Sequence, residues 1–208
     1  WSTQITTCIL DVETTTFAKG NPYADRNKLC YIGLVVDGVM GLFDIEYSGR
    51  PYEENLRLVQ SHLDKCSLIV GFNLKFDLSW LRRYGIKFDH CEVYDLQLAE
   101  FLLSNQSTPY PSLDGCLAKY SLGAKSRVVE EEYWKLGIDT DAIPREVLED
   151  YLQTDLLCTE NLFRHISPLL TGPKQTLFNL QCQDLLCLLE MEGNGIKFDW
   201  EGIEEARN

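Results

Sequence analysis

ITTCILDVE, residues 5–13, is the stretch on which the fold turns. Residues 5–12 are apolar and rich in β-branched side chains, which suits a buried strand. The run ends in Asp11-Val12-Glu13. Side chains two apart on a strand share a face about 6–7 Å from each other, so a buried strand would deliver both carboxylates to one edge of its sheet. Such a pair can hold a hard divalent cation. Taken alone, D-x-E is a weak signal that reads better as a solvated pair at a strand exit; the apolar run before it strengthens the cation reading.

Outward from this strand, residues 30–36 and 39–47 flank Asp37-Gly38, a two-residue hairpin signal. The loop from Thr14 to Lys28 holds Gly20, Asn21 and Pro22 and is long enough to be functional. Leu56, Val59 and Leu63 recur at helical spacing in residues 53–65, and SLIVG (67–71) reads as a short buried strand. Helices are expected from Asn73 to Tyr84, over 95–103 with Asp95 as cap, over 113–120, and from about Pro144 to Ile166. Strands first, then helices around a returning strand, predict an α/β domain with a mixed sheet. After a break at 168–173, Gln175 to Met191 reads as a strongly apolar helix, ended by Gly193 and Gly195, with a last helical start beyond it. The expected division is therefore one domain over 1–170 and the start of another over 171–208. The chain begins at Trp1 and ends at Asn208 within a helical pattern, so it reads as part of a longer protein.

With 208 residues, 45% of them hydrophobic, the chain can bury one core, or one core with an appendage. No apolar run approaches the ~20 residues that span a bilayer, and no membrane partner is expected. No signal peptide precedes the first strand, which points to the cytoplasm. Eight cysteines, none in a C-x-x-C pair and most inside apolar segments, read as buried reduced thiols and not as a zinc site or disulfide framework. The net charge of −13 argues against a nucleic-acid partner, because phosphates call for a basic surface. The objection weakens if several carboxylates are metal ligands.

Two further features carry chemistry. In Asn73-Leu74-Lys75-Phe76-Asp77, Asp77 falls near the start of a helix, with Asn73 readable as a plain N-cap. In Tyr151-Leu152-Gln153-Thr154-Asp155, a phenol and a carboxylate four apart share one helix face about 6 Å from each other.

The ordered series D-x-E, N-x3-D, Y-x3-D over residues 5–165 resembles the DEDDy exonucleases, DnaQ-like enzymes on an RNase H-like fold with a mixed central sheet flanked by helices. The resemblance implies that Asp11, Glu13, Asp77 and Asp155 ligate two divalent cations, Mg²⁺ or Mn²⁺, with Tyr151 beside the attacking water. In the sister subclass a histidine stands five residues before the last Asp. Here that residue is Asp150, and His62, His90 and His165 do not fit, so the tyrosine subclass matches better. Two ions about 3.5–4 Å apart activate a water and stabilise the leaving oxygen. A tyrosine with its ordinary pKa of ~10 orients that water and is no strong base. The resemblance also implies DNA contacts by Thr14 and Asn73 and an apolar wedge at Phe17, a residue that would otherwise anchor its loop. Lys19, Arg26 and Lys28 of the same loop are expected to meet phosphates.

The segment 177–203 is similar to the start of the polymerase module in family A DNA polymerases, where an apolar helix ends in M-E-x-x-G-I-x-x-D. Here these are Met191, Glu192, Gly195, Ile196 and Asp199. GNPYADRN (20–27) has a phage-polymerase character, which would place the protein in a host cytoplasm. Together the resemblances imply a proofreading 3′→5′ exonuclease acting on the 3′ end of single-stranded DNA, with a polymerase module in the same full-length chain. The alternatives are an RNA-processing exonuclease with the same residues and a non-catalytic nucleic-acid-binding module.

Overall fold

The computed structural model describes residues 5–50, 52–107 and 109–207, so the terminal Trp1 and Asn208 lie outside the described residues. Strand β1 spans Thr7–Thr14, β2 Leu29–Val36, β3 Val39–Asp44, β4 Leu68–Gly71 and β5 Glu92–Asp95. They form one sheet in the order β3-β2-β1-β4-β5. β1 runs antiparallel to β2 and parallel to β4, and β4 is parallel to β5, so the sheet is mixed as expected.

β1 ends two residues later than the apolar run alone suggested, because pairing with β2 continues through Glu13↔Tyr31 and Thr14↔Leu29. The strand thus contains the whole acid pair, Glu13 included. The hairpin turn falls on Asp37 and Gly38, both at positive φ (50° and 79°), the two-residue geometry that matches strand twist. β5 was not anticipated. Its four residues are too few to show alternation, although Val93, Tyr94 and Asp95 are all buried.

The helices are α1 Glu53–Leu63, α2 Leu74–Arg83, α3 Leu96–Leu103, α4 Leu113–Tyr120, α5 Val128–Glu132, α6 Arg145–Ile166, α7 Pro173–Asn194 and α8 Trp200–Arg207. The short acidic α5 was also not anticipated. Leu10, Tyr31, Ile32, Ile69, Leu74, Leu78 and Trp80 are among the fully buried side chains at the centre.

Two features of this core position the site. Gly33 of β2 stands opposite Asp11 in register. A Cβ there would lie 2.7 Å from Leu156 Cδ1 and 3.0 Å from Leu152 Cδ1, so the missing side chain lets α6 sit close against the sheet. On the other edge, Phe178, Cys182, Leu185 and Leu189 of α7 are buried in the same core, with Phe178 4.4 Å from Tyr94 of β5 between ring centroids. Seven of the eight cysteines are buried and unpaired, as expected, but Cys187 faces outward on α7. Among the described residues no helix is long and apolar enough to cross a membrane.

Candidate active site

Four acids from three elements meet at the C-terminal end of β1, the central strand of the sheet, and not at a sheet edge. Alternation along β1 puts Asp11 and Glu13 on one face, with Glu13 buried and Asp11 partly exposed. Asp77 lies in the first turn of α2, where free helix N–H groups favour an anion. Its Oδ1 accepts a 3.1 Å hydrogen bond from the Val12 backbone N–H, which ties α2 to β1 between the two acids. Asp155 and Tyr151 are both buried on the inner face of α6.

Asn73 does not cap α2. It takes a left-handed conformation (φ 58°, ψ 46°) and its side chain makes no capping bond. Asp95 does that work: Oδ2 accepts from the Leu74 N–H (2.8 Å), and Oδ1 accepts from the N–H groups of Gln97 (2.8 Å) and Leu98 (3.3 Å) at the start of α3. One buried carboxylate therefore caps two helices, only one of which was legible beforehand. The Asn73 side chain is left exposed.

The electrostatics follow from crowding. Burial first and the neighbouring Asp155 second push Asp11 up to about 8. Burial, then Asp11 and Asp155, raise Glu13 well above the usual carboxylate range, and burial with Asp11 does the same for Asp77. Burial raises Asp155 to about 6, against the opposing pull of Lys125. Clustered carboxylates in a poorly solvated site cannot all ionise at neutral pH without cations.

Lys125, in the loop between α4 and α5, joins the site without any local motif to mark it. Its ammonium lies 2.7 Å from Glu130 Oε1 and 3.5 Å from Asp155 Oδ2, and donates a 2.9 Å hydrogen bond to the Tyr151 hydroxyl. Burial disfavours its charge, but Asp155 and Glu130 outweigh that and hold its pKa above the ordinary lysine value. Tyr151 packs edge-on to Trp134 at 6.0 Å, and burial, then Asp155 and Glu13, drive its pKa far upward, so its hydroxyl stays protonated. Nothing in the spacing of GAKSR distinguishes Lys125; only the fold brings it to α6.

The donor set suits hard divalent cations: four carboxylates with raised pKa values, and an Asp155 Oδ1 that is buried with no hydrogen-bond partner. As they stand, no three acid, histidine or cysteine side chains among the described residues form a closed cage around a single point, so the fit lies in the chemistry of the donors.

The loop after β1 is fixed, not floppy. Thr14 is buried, with its hydroxyl donating to the Thr15 carbonyl (3.2 Å). The Thr16 N–H and hydroxyl both donate to Asp139 Oδ1 (2.8 and 3.0 Å), Asn27 Nδ2 donates to the Phe17 carbonyl (2.7 Å), and Trp80 Nε1 donates to the Gly20 carbonyl (3.1 Å). Ala18, Lys19 and Gly20 are all left-handed, which turns the chain sharply behind Phe17. Phe17 itself is 44% exposed, with the Arg26 guanidinium 4.3 Å above its ring. Lys28, expected to meet phosphates, is held by Asp141 at 2.8 Å. The histidines lie elsewhere: His62 against Phe43, His90 on the Leu63 carbonyl and His165 against Tyr120.

Comparison with known proteins gives the fold its name. NrnC of Brucella melitensis with bound Mg²⁺ is similar at a TM-score of 0.60 and 18% identity, over 95% of this chain and 92% of that one. RNase D of Trypanosoma brucei in complex with RNA U12 gives a TM-score of 0.62 at 17% identity, over 86% of this chain and 62% of that one. The family B DNA polymerase of the archaeon Pyrobaculum calidifontis gives 0.59 at 19% identity over 80% of this chain, which spans 25% of that polymerase. The fold is thus RNase H-like α/β, with a mixed sheet flanked by helices, as expected. No protein-family model matches the chain, and no curated protein matches it in sequence.

Proposed function

We propose that the protein is a metal-dependent 3′→5′ exonuclease of the DEDDy type. The observation that carries this reading is the convergence of Asp11, Glu13, Asp77 and Asp155, all with raised pKa values, beside the buried hydroxyl of Tyr151. A fold shared with NrnC bearing Mg²⁺ and with NrnC bound to pGG supports it.

The four carboxylates would hold two divalent cations, Mg²⁺ or Mn²⁺, whose chemistry is to make water nucleophilic at neutral pH and to stabilise the leaving oxygen. The protein's own groups do the rest. Tyr151, kept protonated, orients the attacking water by hydrogen bonding. Lys125 fixes the Tyr151 hydroxyl. Water oxygen bonds to the terminal phosphorus, the 3′ oxygen of the preceding nucleotide departs and takes up a proton, and a nucleoside monophosphate is released. Thr14 and Asn73 would meet the terminal nucleotide, with Phe17 against the last bases.

The finer reading is a proofreading domain of a family A DNA polymerase, with 1–170 as the exonuclease domain and 171–208 as a helical linker and the start of the polymerase module. It rests on the M-E-x-x-G-I-x-x-D pattern of 191–199. This segment exposes the apolar side chains Leu188 (48%), Met191 (66%), Ile196 (91%) and Trp200 (70%), which suits burial against a neighbouring module. RNase D in complex with RNA supports a second reading, RNA trimming.

The test is hydrolysis of 5′-labelled single strands of DNA and RNA with Mg²⁺ or excess chelator. Stepwise shortening from the 3′ end that requires the ion is expected, faster on DNA. Degradation that persists in chelator, or proceeds from the 5′ end, would sink the exonuclease reading, and a preference for RNA would replace the proofreading one.

A further inference from the structure

A cleft with a volume of about 430 Å³ lies between the loop after β1, α2 and the end of α7. Tyr23, Arg82, Arg83, Glu190, Gly193 and Asn194 line it. Two arginines, Arg82 and Arg83, and one acid, Glu190, set its charge. Lys28, Lys75, Lys119, Lys125, Arg127, Arg145 and Arg164 all hold carboxylates. Among the described residues, Arg82 has no such partner, and Arg83 bonds only the Pro22 and Ala24 carbonyls while lying 5.2 Å over the Trp80 ring. Glu190, the acid on the cleft wall, is exposed. In a chain with a net charge of −13, a cleft wall on which the Arg82 guanidinium holds no carboxylate is suited to a polyanion.

The cleft also offers a ring. Tyr23 is 49% exposed, and its hydroxyl faces Gly193, where a Cβ would lie 3.4 Å away. Glycine at this helical position leaves the space open. Arg82 stands five residues beyond Asp77 on α2, about 7.5 Å along the helix axis. That is roughly the length of two stacked nucleotides at ~3.4 Å each. The same anchored loop carries both Phe17 and Tyr23, each partly exposed.

We infer that this cleft is a second nucleic-acid subsite, one that takes the single strand a few nucleotides upstream of the scissile bond, a base stacking on Tyr23 and a phosphate meeting Arg82. The inference rests on the exonuclease reading and assigns the last turn of α7 to the substrate path.

The experiment compares the unaltered protein with Tyr23→Ala, Arg82→Glu and a control, Arg57→Glu, which makes the same charge change on α1. Each is assayed on a dinucleotide too short to reach the cleft and on a strand of about eight nucleotides. Tyr23→Ala and Arg82→Glu should each raise KM for the longer strand about tenfold beyond any effect on the dinucleotide. Arg82→Glu should also lower the log–log salt slope of that KM by about one. Arg57→Glu should do neither. If the unaltered protein cleaves both substrates and the cleft variants match the control, the subsite is refuted. If it cleaves neither, the exonuclease reading fails, and fluorescence anisotropy of the labelled strand then judges the cleft alone: weaker binding by Arg82→Glu than by Arg57→Glu upholds it, and equal binding overturns it.

Discussion

Lys125 donates a 2.9 Å hydrogen bond to the hydroxyl of Tyr151 while its ammonium lies 3.5 Å from Asp155. One cation thus fixes the phenol and lowers the cost of ionising the carboxylate one helical turn away. Lys125→Met should cut single-turnover cleavage by roughly ten- to a hundredfold, in the range of a lost positioning donor, with KM nearly unchanged. It should also move the acidic limb of the rate profile to higher pH, since the group that holds Asp155 down is gone. Lys125→Arg should recover part of the loss. A rise in KM alone, with an unmoved pH profile, would count against a positioning role.

Tyr151→Phe separates orientation from packing. The ring and its contact with Trp134 survive, so a purely structural tyrosine predicts near-silence. If the hydroxyl orients water, the single-turnover rate at saturating Mg²⁺ should fall on the order of ten- to a thousandfold. Asp155→Ala should be more severe, because it removes a cation ligand.

Asp11→Ala with Glu13→Ala should abolish cleavage and leave the fold standing. In chelator the double variant should melt at or above the temperature of the unaltered protein, because buried like charges repel one another. A clear drop in the melting temperature would mean that the pair supports the fold.

Without divalent ions, stability should fall as pH rises. Asp11 and Asp155 are raised to about 8 and about 6 from ordinary values near 4, so the folded state holds protons that the unfolded chain has released. Their contribution is full below about pH 4, with the Asp155 share lost by about 6 and the Asp11 share by about 8. Melting curves from pH 5 to 8.5 in chelator should therefore decline, and Mg²⁺ should flatten the decline, because bound ions replace the protons. A metal-free melting temperature that climbs over this range would contradict the crowded-carboxylate picture.

Gly33→Ala tests how α6 reaches the sheet. A Cβ at 2.7 Å from Leu156 must push side chains or the helix aside. Overpacking of this kind costs about 1–3 kcal/mol. Denaturant midpoints should show the loss. Cleavage should also weaken, since Tyr151 and Asp155 ride on the displaced helix.

The regular parts of this architecture were legible because their signals are local. β1 announces itself by composition, the Asp37-Gly38 turn by chemistry, and α6 by the periodicity that sets Tyr151 one turn before Asp155. What was missed is short or long-range. β5 has four residues and α5 five, too few for a period to emerge. Gly33 matters because of a helix more than a hundred residues later, and Lys125 because a loop crosses α6. Asn73 looked like a cap because asparagine favours that position, yet the better acceptor, Asp95, arrives from a neighbouring strand. The ion pair of Lys28 was illegible for a related reason: its partner, Asp141, lies far along the chain.

The shared cap at Asp95 has a mechanical consequence. Because a single carboxylate fastens the first turns of α2 and α3, the two helices cannot rock independently, and Asp77 inherits the rigidity of both. A metalloenzyme that fills and empties its ion sites undergoes large swings of local charge. Ions entering or leaving the proposed site would act on a frame in which one carboxylate fastens both helix starts.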